Sequence, residues 1–540
     1  VPALLLKQTG LLLALALAAS GKSTKPAPKT PPAPAVAAPD LRAVETPDAG
    51  APRAAVADGG VDLAAGDRPA EAKIAAPTAV APATDETFDA ALAKHFKGDF
   101  VGAASGFFLY LRGSAKTADR YEWAEHFLSQ DLDQLGLSQA ALEYEVFVAE
   151  ERARPEVLPD ALTHLEKLIT AHPYPRELIE DELLHGTDFG PLPAGPRSFV
   201  GYYQGLVDYR LGQTKWGEKR FAKVEADSPY AAKVRYLKAV YRLVHDRDEA
   251  GAHAEFTALA DDVKAPAALR NQAYQALARL AYEGKDYAAS YALWGKVKLP
   301  ELDPGRAPIF LERAWNLYRL KKYGDAMGLL YALEAPTFRD VFLPEKYLLR
   351  SLIYKDLCHY LPAKRSAREF SRRFAGPLSA IHTRTPLSEE PRLLASALQL
   401  DETYAQAQAL LTAVKTEQER LDRFASPWTD SGLFAELQRL YGLLAPQATR
   451  REQVAREAAL KAAADKLLTE EEQLRLQDYE VGLAMYARLR RGRVVTDAPR
   501  PDEVEPDQVV YDFDGEYWND ELRDFHLFLT SRCLEQEAVQ

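Results

Sequence analysis

Along residues 103–370, a small residue is followed four and seven positions later by larger, mostly apolar ones, and this triplet returns every 35 to 38 residues. The triplets are Ala103/Phe107/Tyr110, Ala140/Tyr144/Phe147, Gly217/Phe221/Val224, Ala252/Phe256/Leu259, Ser290/Trp294/Val297, Ala326/Leu330/Leu333 and Ala363/Ala367/Phe370, with Ala367 the only weak member. Positions i, i+4 and i+7 lie on one face of an α-helix, so each triplet marks a helix that packs closely at its small residue and fills an interior with the other two. The step from Ala140 to Gly217 covers about two units, with an unread unit between them. A period of this size predicts an all-α array of helix pairs. In the unit around Gly217 the run from Arg197 to Gln213 predicts the first helix, broken at Gly212. Lys215 to Pro229 predicts the second.

Beyond Pro377 the period stops. Residues 381–495 read as long helices with apolar positions three and four apart and dense charge between, a helical hairpin or short antiparallel coiled coil that caps the array or projects from it. Ser426-Pro427-Trp428 begins its turn. Residues 496–540 read as a small cap, in which Val509 to Cys533 is aromatic and β-branched and predicts a short strand or extended piece. Residues 152–197, rich in proline, read as a divergent repeat with a long insertion.

The N-terminus differs in kind. Lys7 precedes the apolar run Leu11–Ala19, which is too short for a spanning helix and has the form of a signal peptide over residues 1–20. Residues 21–84 are dominated by Pro, Ala, Asp and Gly, a composition that predicts a disordered tether. The chain is expected to be exported, to the periplasm or the periplasmic face of the outer membrane, with the tether holding the array near a membrane.

The positions Gly205, Gly212, Gly217, Phe221, Val224 and Pro229 resemble the tetratricopeptide repeat, and the resemblance extends over residues 85–380. It implies an α-solenoid whose concave groove captures protein segments. Carried over from each small residue, the groove-facing position near the end of the first helix holds Tyr209, Val244, Tyr282, Tyr318 and Lys355. Arg210 and Arg319 follow it, and Tyr241, Arg279 and Trp315 lie one turn earlier. Tyr, Trp and Arg dominate binding hot spots, so Tyr209, Arg210, Tyr241, Arg279, Tyr282, Trp315, Tyr318, Arg319 and Lys355 form the candidate groove. The segment Leu17-Ala18-Ala19-Ser20 resembles a bacterial lipoprotein signal, except that Ser20 stands where the lipid-accepting cysteine belongs, which puts a lipid anchor in doubt. The passages Ile353–Lys364, Leu476–Leu489 and Asp514–Leu522 look like envelope tetratricopeptide lipoproteins of myxobacteria, including those of gliding motility.

Composition and chemistry narrow the functions further. The chain of 540 residues is 47% hydrophobic and 27% charged, with a formal charge of -12 and no basic tract, which argues against nucleic acid. Gly21-Lys22-Ser23 lacks the preceding glycine of a phosphate loop, because Ala16 stands there. The ten histidines show no metal-ligand spacing, and Asp512, Asp514 and Glu516 around Gly515 lack that of a calcium loop. No nucleophile elbow is present. Cys358 and His359 read as helix neighbours pointing about 100° apart, and pairing of Cys358 with Cys533 is open at this level. Neither a cofactor nor a catalytic site is expected. The reading is a non-catalytic, protein-binding scaffold of the envelope, possible roles being motility or outer-membrane assembly. The alternatives are a docking subunit of a cell-wall enzyme or secretion apparatus, or a cytoplasmic adaptor.

Overall fold

The computed structural model describes residues 84–387, 396–491, 517 and 522–533. The expected signal peptide, the tether up to residue 83, Ser20 and the Asp512/Asp514/Glu516 group lie outside the described residues. The described residues are helical or irregular, with no strand among them. In chain order the helices are α1 (Asp85–Phe96), α2 (Phe100–Gly113), α3 (Tyr121–Gln134), α4 (Ser138–Glu151), α5 (Leu158–Ala171), α6 (Ala194–Arg210), α7 (Thr214–Phe221), α8 (Ala231–Tyr241), α9 (Glu249–Ala260), α10 (Ala267–Glu283), α11 (Tyr287–Trp294), α12 (Arg306–Arg319), α13 (Tyr323–Ala332), α14 (Glu345–Asp356), α15 (Tyr360–Arg373), α16 (Ala375–Thr383), α17 (Glu402–Leu421), α18 (Ala425–Trp428) and α19 (Leu433–Arg490). From α1/α2 to α14/α15 they pack as adjacent pairs, each pair on the next, in the manner of an α-solenoid.

The small triplet residues explain the pairing. Ala103, Ala140, Ala252, Ser290, Ala326 and Ala363 have no exposed surface at all, so each second helix sits against its neighbours with no room for a larger side chain. Phe107, Phe221, Phe256, Trp294, Leu330 and Phe370 are likewise buried. Phe147 is an exception: it is exposed, and Val148 beside it turns inward instead.

The turn inside each pair also repeats. Gly98, Gly136, Gly212, Arg247, Lys285, Lys321 and Cys358 all have φ between 57° and 78°, in the left-handed region, at the step from first to second helix. In the best-formed turns the next residue's N–H reaches a carbonyl five positions back, as Lys322 does to Leu317 (2.9 Å) and His359 to Tyr354 (2.7 Å), the closure of a Schellman motif. Asp99, Asp248 and Asp286 then cap the second helix by accepting the N–H three residues on. Cys358 and His359 therefore occupy a turn, not a helix, and Cys358 pairs with Cys533 across a Cα–Cα distance of 5.3 Å.

Two expected boundaries move. The second helix of the Gly217 unit ends at Phe221, well before Pro229, because the chain tightens into short-range turns and the Ser198 hydroxyl accepts the Glu225 N–H at 3.0 Å. Residues 152–197 supply α5 and a π-helical segment, Glu177–His185, both packed into the stack, with Leu162, Leu165, Ile179 and Leu184 fully buried. This pair is the unread unit between Ala140 and Gly217.

The hairpin is strongly unequal. Helix α17 has 20 residues and α19 has 58, a length of about 87 Å at 1.5 Å per residue. At its start α19 packs on α2 and α4, and farther along on α14, α15 and α16, so it joins the first pairs to the last. Trp428, fully buried, anchors the turn by donating its indole N–H to the Val101 carbonyl at 3.0 Å. Among the described residues, no helix is long and apolar enough to cross a membrane.

The repeated turn predicts opposite effects for two substitutions on open surface. Nothing lies within 4 Å of a Cβ built at Gly212, so Gly212→Ala meets only the left-handed backbone and should lower unfolding free energy by about 1 kcal/mol. Lys321→Gly should raise it by about 0.5–1 kcal/mol by relieving the same strain. Urea denaturation of the two variants checks both signs.

Candidate functional site

The nine residues of the expected groove fall into separate groups. Tyr282, Trp315, Tyr318 and Arg319 form a continuous patch: the Arg319 Nε donates to the Tyr282 hydroxyl at 3.1 Å, and its guanidinium lies 6.0 and 5.8 Å from the Trp315 and Tyr318 ring centres. Tyr318 donates to Asp356 Oδ2 at 2.9 Å, one repeat farther on. Arg279 lies 5.3 Å over Trp294 and 3.8 Å from Glu312. Tyr209 and Tyr241 meet each other at 4.8 Å, and Tyr209 donates to Glu218. Arg210 turns away from both to pair with Glu180 at 2.6 Å, while Lys355 is held by Glu480 of α19.

Much of this ladder stitches one repeat to the next. Tyr209, Tyr282 and Trp315 are buried, with 3%, 9% and 3% of their surface exposed, and could meet a partner only by unpacking. Arg319 is exposed, and Tyr241, Tyr318 and Lys355 are half-buried. Arg210 and Arg279 are half-buried as well, so Arg319 is the one member of the nine that is exposed.

A second arrangement is more developed. Residues 522–533 begin with a short 3-10 turn and then run without regular structure along α13 and the α14–α15 turn. Gly324 and Gly328, one turn apart on α13, make this approach possible. A Cβ on Gly328 would collide with the Phe525 carbonyl, and one on Gly324 with the His526 ring. The Leu527 N–H donates to Gly324 O and the Arg532 N–H to Leu357 O, both at 3.0 Å. His526 meets Asp325 at 2.7 Å, and His359 Nε2 meets the Thr530 carbonyl at 2.7 Å. Leu522 and Leu529 are buried in the same core as Ala326, Met327 and Leu330, and the disulfide closes the end. Here the array holds an irregular segment of its own chain by main-chain hydrogen bonds and two apolar anchors.

The structure also gathers residues that spacing alone did not connect. His126 and His164, on α3 and α5, share Glu145 of α4: their Nδ1 atoms lie 2.9 and 2.7 Å from its Oε1. All three are buried and, among the described residues, they are the group placed to hold a metal ion. The arrangement closes equally well as a hydrogen-bonded network, with His126 meeting Gln130 at 2.8 Å and His164 facing Asp133 at 3.6 Å. The available signal was the 38-residue separation of His126 and His164, one repeat.

Burial opposes protonation of His164, but hydrogen bonds to Asp133 and Glu145 outweigh it and push its pKa up to about 9. Glu470 of α19 is pushed up to about 8, mainly by burial and then by Glu345. Glu417 of α17, which accepts from the Gln139 N–H and the Tyr441 hydroxyl at 2.8 Å each, is raised to about 7 by burial despite those bonds. Compared with known proteins, the chain matches no protein-family model and no curated sequence.

A pH dependence follows from these groups. A carboxyl whose folded pKa lies above its unfolded value near 4.5 holds extra protons in the folded state, so stability falls as pH rises through the folded pKa. His164 acts in the same sense: its contribution is full below its unfolded pKa of 6.5 and lost as pH rises through about 9. Thermal melts should therefore show decreasing stability from about pH 5 to about pH 9. Glu470→Gln should be more stable than the parent by on the order of 2 kcal/mol at the upper end and nearly equal to it at the lower end.

Proposed function

We propose that this chain is a non-catalytic scaffold that binds protein segments along an α-solenoid of tetratricopeptide type, exported to the bacterial cell envelope. The observation that carries the reading is the docking of residues 522–533 against α13 and the α14–α15 turn. A surface that holds one irregular segment by backbone hydrogen bonds and leucine anchors has the chemistry to hold others. The exposed Arg319 and the half-buried Tyr241, Tyr318 and Lys355 supply further aromatic and cationic contacts.

The disulfide supports the envelope assignment. Bridges of this kind persist in the periplasm and are rare in the cytosol, and Cys358–Cys533 fixes the C-terminal segment to a turn 175 residues away. A place near a membrane through the N-terminal tether, and service in a motility or outer-membrane assembly machine, belong to the same proposal. The cytoplasmic adaptor would keep both thiols reduced.

Two measurements test the proposal in the native host. Non-reducing peptide mapping should find the disulfide oxidised in the periplasmic fraction; a reduced pair in the cytosol would count against export. A photo-crosslinking residue at Arg319 should give discrete protein adducts, whereas the same probe at Lys264, exposed beyond α9, should not. Identical adducts from both positions, or none from either, would overturn the binding face.

A further inference from the structure

We propose that the last turns of α19 form a homodimerisation seam on which the same helix of a second copy of this chain packs antiparallel. Leu474 and Val481 of this stretch are buried against the array. On the opposite side, Leu476, Tyr479, Leu483 and Tyr486 are 61%, 65%, 52% and 60% exposed, with Leu489 flanking them at 56%. Single exposed apolar residues are ordinary on a protein surface, but a contiguous run of this kind marks an interaction site.

The spacing specifies a helical partner. The steps from Leu476 to Tyr479, Leu483 and Tyr486 are three, four and three residues, the alternation of a coiled-coil seam. The face is directed away from the array because Val481 lies almost diametrically opposite on the helix.

Charge identifies the partner and its direction. On the seam face itself Glu472 is exposed before Leu476 and Arg490 is exposed after Tyr486, whereas Glu470 is buried and Asp478, Glu480 and Arg488 are engaged by Lys364, Lys355 and the Arg532 carbonyl of the array. Parallel pairing of two copies would set Glu472 beside Glu472 and Arg490 beside Arg490, whereas antiparallel pairing sets Glu472 of each copy against Arg490 of the other. A two-fold axis at the level of Val481 places Leu476 opposite Tyr486 and Tyr479 opposite Leu483 of the second copy. Each layer then joins one leucine to one tyrosine, and the next layer outward joins Arg490 to Glu472, both exposed. An isologous contact of this kind is self-complementary and closes at two copies. The seam would bury on the order of 1,000 Å² in total, at the lower limit for a specific interface, so a dimer with Kd in the micromolar range is expected.

Sedimentation equilibrium of the full, oxidised chain, at concentrations up to roughly 100 µM, reads this directly. The parent should pass from monomer to dimer across the range, and Leu483→Glu should remain monomeric with an unchanged circular dichroism spectrum. Glu472→Arg and Arg490→Glu should each weaken the dimer by about three- to tenfold, and the double exchange should restore it. For direction, oxidation of a mixture of Tyr479→Cys and Leu483→Cys chains should give the mixed cross-linked dimer. Monomer at every concentration would overturn the proposal, the seam then being covered by another part of the chain or by a different protein. A dimer indifferent to Leu483→Glu, or one in which Leu483→Cys cross-links chiefly to itself, would overturn it equally.

Discussion

Helix α19 supplies the contacts that a stack of helix pairs cannot supply for itself. In a solenoid each pair touches only its neighbours, so stability is a sum of local terms and the ends are free to open. Here Leu433, Leu437 and Tyr441 are buried in the core of the first pairs, while Leu467 and Leu474 are buried with Tyr347, Phe370 and Phe374 of the last. Polar contacts lie at both ends: Arg112 donates to the Ser431 carbonyl at 2.7 Å, and Lys364 pairs with Asp478 at 2.7 Å. One continuous element thereby couples pairs that are far apart in the stack.

The same element shapes which surfaces of the array are left open. Lys355, assigned to the groove by repeat register, is paired with Glu480 of α19, and residues 522–533 return beside it, tied by the donation of Arg488 to the Arg532 carbonyl at 2.9 Å. The last pairs are thus occupied by the chain's own C-terminal parts, which leaves the Tyr318/Arg319 surface as the more accessible part of the ladder.

Much of the architecture was legible in the sequence because close helix packing imposes a small residue at each crossing, and Ala103, Ala252 and Ala326 carry that constraint in their identity. Where the chain meets the same need by other means, the signal disappears. The pair formed by α5 and Glu177–His185 has a π-helical second member and no triplet. The left-handed turn is visible at Gly98 and Gly212 but hidden at Lys285, Lys321 and Cys358, where non-glycine residues accept the strain. Register placed Tyr282, Trp315, Tyr318 and Arg319 near one another, and they do touch. It could not reveal that the Tyr318 hydroxyl is spent on Asp356 of the next repeat and the Tyr282 hydroxyl on Arg319. The His126/Glu145/His164 group and the path of residues 522–533 depend on contacts between repeats, which local periodicity does not encode.

Long-range coupling through α19 joins the two ends of the array, and Trp428 is the place to break it. Native-state hydrogen exchange of Trp428→Ala should show loss of protection at α2 and α17 and also at α14 and α15, where the far half of α19 packs. Loss confined to α2, α17 and α18, with α14 and α15 unchanged, would mean that the stack behaves as independent neighbours and that α19 is not its common support.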